Sequence, residues 1–204
     1  MNFKTLLLTA ILFVGFGIQS CEEDYCDCCT VGEYRGFFDI QDVQVSHWDS
    51  TKRPIDQAIL RYEDYGFINM HFVVDYVVHQ ESRGFDFSFM SSAYGCSPES
   101  PGVEGSKEEA LESLQIITIN DFDDEHKAGE SINDLLEFND IRFGGAPVLL
   151  ESYLDSLTGN VPTEYFVLGL LKEPEIDKNF QVRAEMQLST GEYYEATSPL
   201  ISFQ

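Results

Sequence analysis

Over most of its length the chain alternates apolar and polar residues at period two, the pattern of strands with one buried face. Phe37-Phe38-Asp39-Ile40-Gln41-Asp42-Val43-Gln44-Val45 alternates with a slip near Asp42, which predicts a strand carrying a β-bulge. Ala58 to Tyr62 predicts a short strand, closed by a turn at Asp64-Tyr65-Gly66. In the run Phe67 to Gln80, Met70, Phe72, Val74, Tyr76 and Val78 share one face, and His71, Val73, Asp75, Val77 and His79 share the other. Its four valines and its aromatics favour a strand. Phe85, Phe87 and Phe89 alternate with Asp86 and Ser88, a further strand. Leu114 to Ile119 is apolar on both faces and reads as a central strand. Tyr165 to Leu171 is an apolar strand, and Phe180, Val182, Ala184, Met186 and Leu188 alternate strictly with polar residues. Thr190-Gly191 turns that strand into Glu192 to Thr197, a hairpin with one wet face. Ile201 and Phe203 close the chain.

Helical signals are few. Ser106-Lys107-Glu108-Glu109 has the spacing of a capping box, Ser131 caps a short segment Ile132 to Glu137, and Val148 to Ser156 is a second candidate. About eight strands with one or two short helical inserts predict a mainly β protein. The expected architecture is an antiparallel β-sandwich, with an immunoglobulin-like arrangement as one form of it.

The first twenty residues break the pattern. One positive charge, Lys4, precedes an apolar run from Leu6 to Ile18, which has the length of a signal-peptide core and falls short of the ~20 residues of a spanning helix. Ile18-Gln19-Ser20-Cys21 resembles the lipobox of bacterial lipoproteins, with Gln19 departing from the usual small residue. That resemblance implies cleavage before Cys21 and a diacylglyceryl thioether on its sulfur, a durable anchor because each buried CH₂ contributes ~0.8 kcal/mol. Residues 1–20 are therefore expected to be a lipoprotein signal peptide, 21–32 an acidic, cysteine-rich tether, and 33–204 a single β-sandwich domain. Glu22-Glu23-Asp24 resembles the acidic export signal that sends lipoproteins of Bacteroidota to the exterior face of the outer membrane. The periplasmic face is the alternative.

Composition narrows the partners. Loss of the leader removes one of 12 basic residues and leaves 36 acidic ones, a net charge of about −25. Such a surface repels phosphate backbones and anionic membrane, which argues against nucleic acid and against a basic membrane-binding face. A hydrophobic fraction of 43% with 16 Phe and 10 Tyr supplies a substantial core. If Cys21 carries lipid, Cys26, Cys28, Cys29 and Cys96 remain, an even number in an oxidising compartment. Their placement suggests a disulfide from Cys28 or Cys29 to Cys96. Three cysteines within four positions do not match the paired spacing of structural zinc.

Candidate chemistry is sparse. His71, Asp75 and His79 would converge on one metal ion in a helix, but in a strand each successive pair is ~13 Å apart. Asn120-Asp121-Phe122-Asp123-Asp124-Glu125-His126 is the densest acidic loop, and Asp121, Asp123 and Asp124 form a weak calcium candidate. The loop lacks the sixth-position glycine and the downstream glutamate of a helix-loop-helix site, so no cofactor is otherwise expected. No nucleophile elbow, zincin helix or phosphate-binding loop occurs. Thirty-six acids offer many carboxylate pairs for hydrolysis, and the pattern selects none.

Cys21 with Cys26-Asp27-Cys28-Cys29, Tyr94-Gly95-Cys96, Gly105-Ser106-Lys107-Glu108 and Thr118-Ile119-Asn120-Asp121-Phe122-Asp123 together resemble an uncharacterised family of Bacteroidota lipoproteins. Gly129-Glu130-Ser131-Ile132-Asn133-Asp134 and the terminal hairpin complete the likeness, which spans nearly all of the mature chain. The resemblance implies no activity. The expectation is a lipid-anchored, non-enzymatic envelope domain that binds a protein or glycan through an exposed aromatic patch, with Trp48, Tyr62 or Tyr65 as candidates. An extracytoplasmic hydrolase with an unrecognised carboxylate pair is the alternative.

Overall fold

The computed structural model describes residues 35–55, 59–77, 101–107, 109–139 and 145–204. They belong to one compact unit, Arg35–His79 with Ser100–Gln204. The leader, the tether, all five cysteines, His79 and the segment containing Phe85, Phe87 and Phe89 lie outside the described residues.

The first long alternating run is strand β1 (Phe37–Asp49), and the second is β4 (Tyr65–Val77). They pair antiparallel along almost their whole length. The expected bulge is present: Ile40 faces Val74 and Asp42 faces Val73, leaving Gln41 as the extra residue. Asp42 caps the irregularity by accepting the Val43 N–H at 2.8 Å. The extra residue lets Ile40 and Val43, three apart in sequence, both point into the core. At the far end Gly66 is required, because a Cβ there would strike the Asp49 carbonyl.

Short strands β2 (Pro54–Ile55), β3 (Ile59–Leu60) and β5 (Gly105–Ser106) accompany this pair, with β5 parallel to the start of β1. The next strands are β6 (Leu111–Thr118), β7 (Leu136–Phe138) and β8 (Val148–Leu149), then helix α1 (Leu150–Ser156). After them come β9 (Tyr165–Leu170), β10 (Asn179–Phe180), β11 (Val182–Leu188), β12 (Tyr193–Thr197) and β13 (Ile201–Phe203). The large sheet runs β2-β1-β4-β9-β7-β8, with β5 beside β1; the smaller ones are β12-β11-β6 and β10-β13-β3. The fold is mainly β, antiparallel and sandwich-like, as the alternation predicts.

One core joins the layers. Phe38, Ile40, Val43 and Val45 of β1 and Ile68, Met70 and Phe72 of β4 share it with Leu114, Ile116, Val182, Ala184, Met186 and Leu188. Each of these side chains except the small Ala184 contributes roughly 1.5–3 kcal/mol by leaving water. Phe180 sits at an aromatic junction, with ring centroids 5.9 Å from Phe122, 6.0 Å from Phe203 and 6.3 Å from Tyr65. The terminal hairpin turns where expected, with Gly191 at φ 91° and its N–H donated to the Leu188 carbonyl. Left-handed backbone at that point favours glycine.

The helical expectations are mostly replaced by extended chain. Among the described residues no helix follows Ser106, whose hydroxyl accepts the Val161 N–H and donates to the Glu109 carbonyl instead of capping a turn. Ile132 to Glu137 holds a single 3-10 turn, Asn133–Leu135, and then enters β7. The helix expected from Val148 begins at Leu150, because Val148 and Leu149 pair with β7. The expected turn at Asp64-Tyr65-Gly66 falls earlier, as a 3-10 turn at Tyr62–Asp64.

Strand β6 is also not central: β11 is the middle strand of that sheet. The outer edge of β6 is covered by the segment Glu130–Asn133. Ile132 N–H reaches the Ile116 carbonyl at 2.8 Å, while the Asn133 amide donates to the Leu114 carbonyl at 2.8 Å and accepts the Ile116 N–H at 2.9 Å. That one side chain imitates a neighbouring strand. Asn133→Ala, which strips both bonds, is expected to destabilise the fold by about 1–3 kcal/mol in urea unfolding, against less than ~0.5 kcal/mol if water satisfies that edge as well.

Candidate functional site

Four polar constellations were assembled by folding, and three of them are tied into the framework. In the first, His47 projects from β1 into the core. Its Nδ1 lies 3.0 Å from the Tyr65 hydroxyl and its Nε2 lies 2.8 Å from the Ser198 hydroxyl. Burial outweighs a backbone contact at Pro199 and lowers the imidazole to about 4, so it is neutral. Ser198 also accepts the Val182 N–H at 3.0 Å, and water reaches neither side chain. A serine beside a histidine here ties β1 to β11.

The second is the acidic loop. Asp121 accepts the Ala128 N–H at 3.0 Å, and exposed Asp124 faces Lys127 at 3.6 Å. Asp123 turns inward to Lys172 at 2.7 Å and to His126, whose Nδ1 is 2.9 Å away and whose backbone N–H donates at 2.7 Å. Burial opposes the Asp123 charge, but Lys172, His126 and the Glu125 N–H outweigh it and hold the carboxyl well below its usual range. For His126, burial likewise opposes the proton, and Asp123 with Asp134 retain it. The three candidate calcium ligands thus turn to three different partners. Among the described residues, no three Asp, Glu, His or Cys side chains are grouped to hold a metal ion.

The third is a carboxyl pair. Glu109 is buried beside Asp39, with Glu192 nearby, and its Oε2 has no hydrogen-bond partner among the described residues. Burial first, and then the bond to Asp39, raise its pKa to about 7.

The fourth constellation faces outward, on the side of β1, β4 and β9 that the core does not use. Trp48 and Phe67 are cross-strand partners whose rings are near-parallel, 17° apart with centroids at 5.8 Å. The indole N–H is donated to Ser46 at 3.0 Å. Along the same face Asn69 lies between Ser46 and Val167, and His71 between Gln44 and Tyr165. Trp48, Phe67, Asn69, His71, Tyr165 and Val167 line, with Lys52, an open, mainly apolar groove of about 230 Å³.

Lys52 is placed there by the turn after β1. The Asp49 carboxylate accepts the N–H groups of Thr51 and Arg53 and the Thr51 hydroxyl. That turn puts Lys52 at φ 62°, the one left-handed non-glycine among the described residues.

Of the three aromatic candidates, Trp48 alone lines this groove. Tyr62 is half-buried and donates its hydroxyl to the Leu170 carbonyl at 2.7 Å, and Tyr65 is buried against His47. Phe67, Asn69 and His71 share a parity that is visible in the sequence, but their union with Trp48, Lys52 and Tyr165 depends on strand register. His71 and Asp75 are exposed on a strand, as the alternation predicts.

No family model, curated protein or solved structure matches the chain.

The raised Glu109 pKa has a signed consequence. The folded state holds this proton between about 4.5 and about 7, whereas the unfolded chain releases it near 4.5. Its contribution to stability is therefore complete below about 4.5 and is lost as pH rises through about 7. Melting temperatures of Glu109→Gln and wild type should diverge in the variant's favour from pH 5 to pH 8. A constant difference would mean that Glu109 titrates as an ordinary carboxyl.

Proposed function

We propose that the protein is a lipid-anchored cell-envelope domain, acylated at Cys21 and displayed on the outer face of the outer membrane to bind a ligand. Its contact surface is the Trp48–Phe67 groove. One observation carries this reading: an aromatic, outward-facing groove on a sheet whose other face already supplies the core. Its aromatic side chains are half-buried and grouped, and grouped apolar side chains that keep part of their surface in water mark contact sites. The likeness of residues 18–21 to a lipobox and of Glu22-Glu23-Asp24 to an export signal supports the address. The role is non-catalytic: Glu109 is buried, and the Ser198–His47 contact is shut off from substrate.

Protease shaving tests the display. On intact cells the domain should be lost from immunoblots, with lysed cells as the control for resistance. Protection in intact cells with cleavage after lysis would place it on the periplasmic side. In the same cells Cys21→Ser should abolish incorporation of labelled palmitate, and persistent labelling would overturn the anchoring step.

A further inference from the structure

A ligand on the Trp48 groove meets a surface with a charge uncommon for this molecule. The chain carries 36 acidic residues, yet none is among the described residues that line the groove, which include Lys52. The side chains of Lys52, Asn69 and His71 have no hydrogen-bond partner among the described residues. A cationic ligand would find no counter-charge there and would meet the Lys52 ammonium. A polyanion would have to approach a molecule with a net charge of −24.

Geometry removes two further classes. The groove lies on the face of β1, β4 and β9, whose backbones are paired with one another, so it offers no free edge to an added peptide strand. Its volume of about 230 Å³ falls below the ~300–1,000 Å³ of pockets that enclose a drug-sized ligand.

What fits is a ring with an apolar face and a hydroxylated rim. We infer that the groove binds a neutral hexopyranose unit of a polysaccharide, its C–H face on the Trp48–Phe67 pair and its hydroxyls on Lys52, Asn69 and His71. This rests on the groove being the contact surface proposed above. The aromatic pair supplies the area, and the three unpaired side chains supply orientation and choice between sugars.

Trp48 is the only tryptophan in the chain, so its emission reports the site directly. The full-length chain in detergent would be titrated with neutral polysaccharides (starch, galactomannan, laminarin) and with anionic ones (polygalacturonate, hyaluronan). A saturable change in Trp48 emission is expected with at least one neutral polymer. Affinity electrophoresis on that polymer should show a loss of roughly ten-fold or more for Trp48→Ala. A smaller loss is expected for Lys52→Gly, which the left-handed backbone accepts without strain and which serves if Trp48→Ala fails to fold. Saturable binding of anionic polymers alone would overturn the neutral-sugar inference and leave the groove as the contact surface. Silence toward both classes would overturn the inference, while shaving decides display separately.

Discussion

The antiparallel pairing of β1 with β4, carried through the bulge at Gln41, is the constraint on which the rest of the molecule depends. Two strands of thirteen residues give this ladder two long faces. One face is apolar and becomes the floor of the core. The other is free to hold Trp48, Phe67, Asn69 and His71 in fixed register. A slip of one residue would exchange the two faces, burying the histidine and exposing Met70 and Phe72. The buried face therefore fixes the exposed one: the energy that sets the register comes from the core, and the groove inherits its geometry.

Acidity is the second constraint, and the fold handles it in two ways. Asp123 is buried with its charge, held by Lys172, His126 and backbone N–H groups, so that the loop after β6 is drawn onto the segment after β9. Such a carboxylate specifies a unique loop arrangement because removing one partner leaves an uncompensated charge. Glu109 is buried beside another carboxyl and keeps its proton instead. In both cases burial is opposed to charge, and the neighbours decide the outcome. The groove differs again in having no carboxylate among the described residues of its lining.

Edges are the third. β6 ends its sheet, and a single asparagine with the backbone around it satisfies the exposed ladder. Ser106 does similar work, joining Val161 to the segment that precedes β6. Ser106 carries the local signature of a helix cap. It loses that role because a hydroxyl that reaches a neighbouring segment's unpaired backbone group gains more than one that starts an isolated turn.

Alternation alone determined the mainly β class, the bulge near Asp42, the two faces of β4 and the β11–β12 hairpin. Period two places every second side chain on one face whatever the partner strand is. It did not separate Trp48 from Tyr62 and Tyr65 as the aromatic left at the surface. Tertiary structure decided everything that depends on which strands meet. It took Tyr65 and His47 into the core, made β6 an edge strand, turned the apparent cap Ser106 into a bridge, and brought Lys52 and Tyr165 to the Trp48 face. Periodicity within a strand is a local property of the chain. Register, neighbours and the fate of each polar side chain are settled by pairing between residues as far apart as His47 and Ser198, which no local pattern encodes.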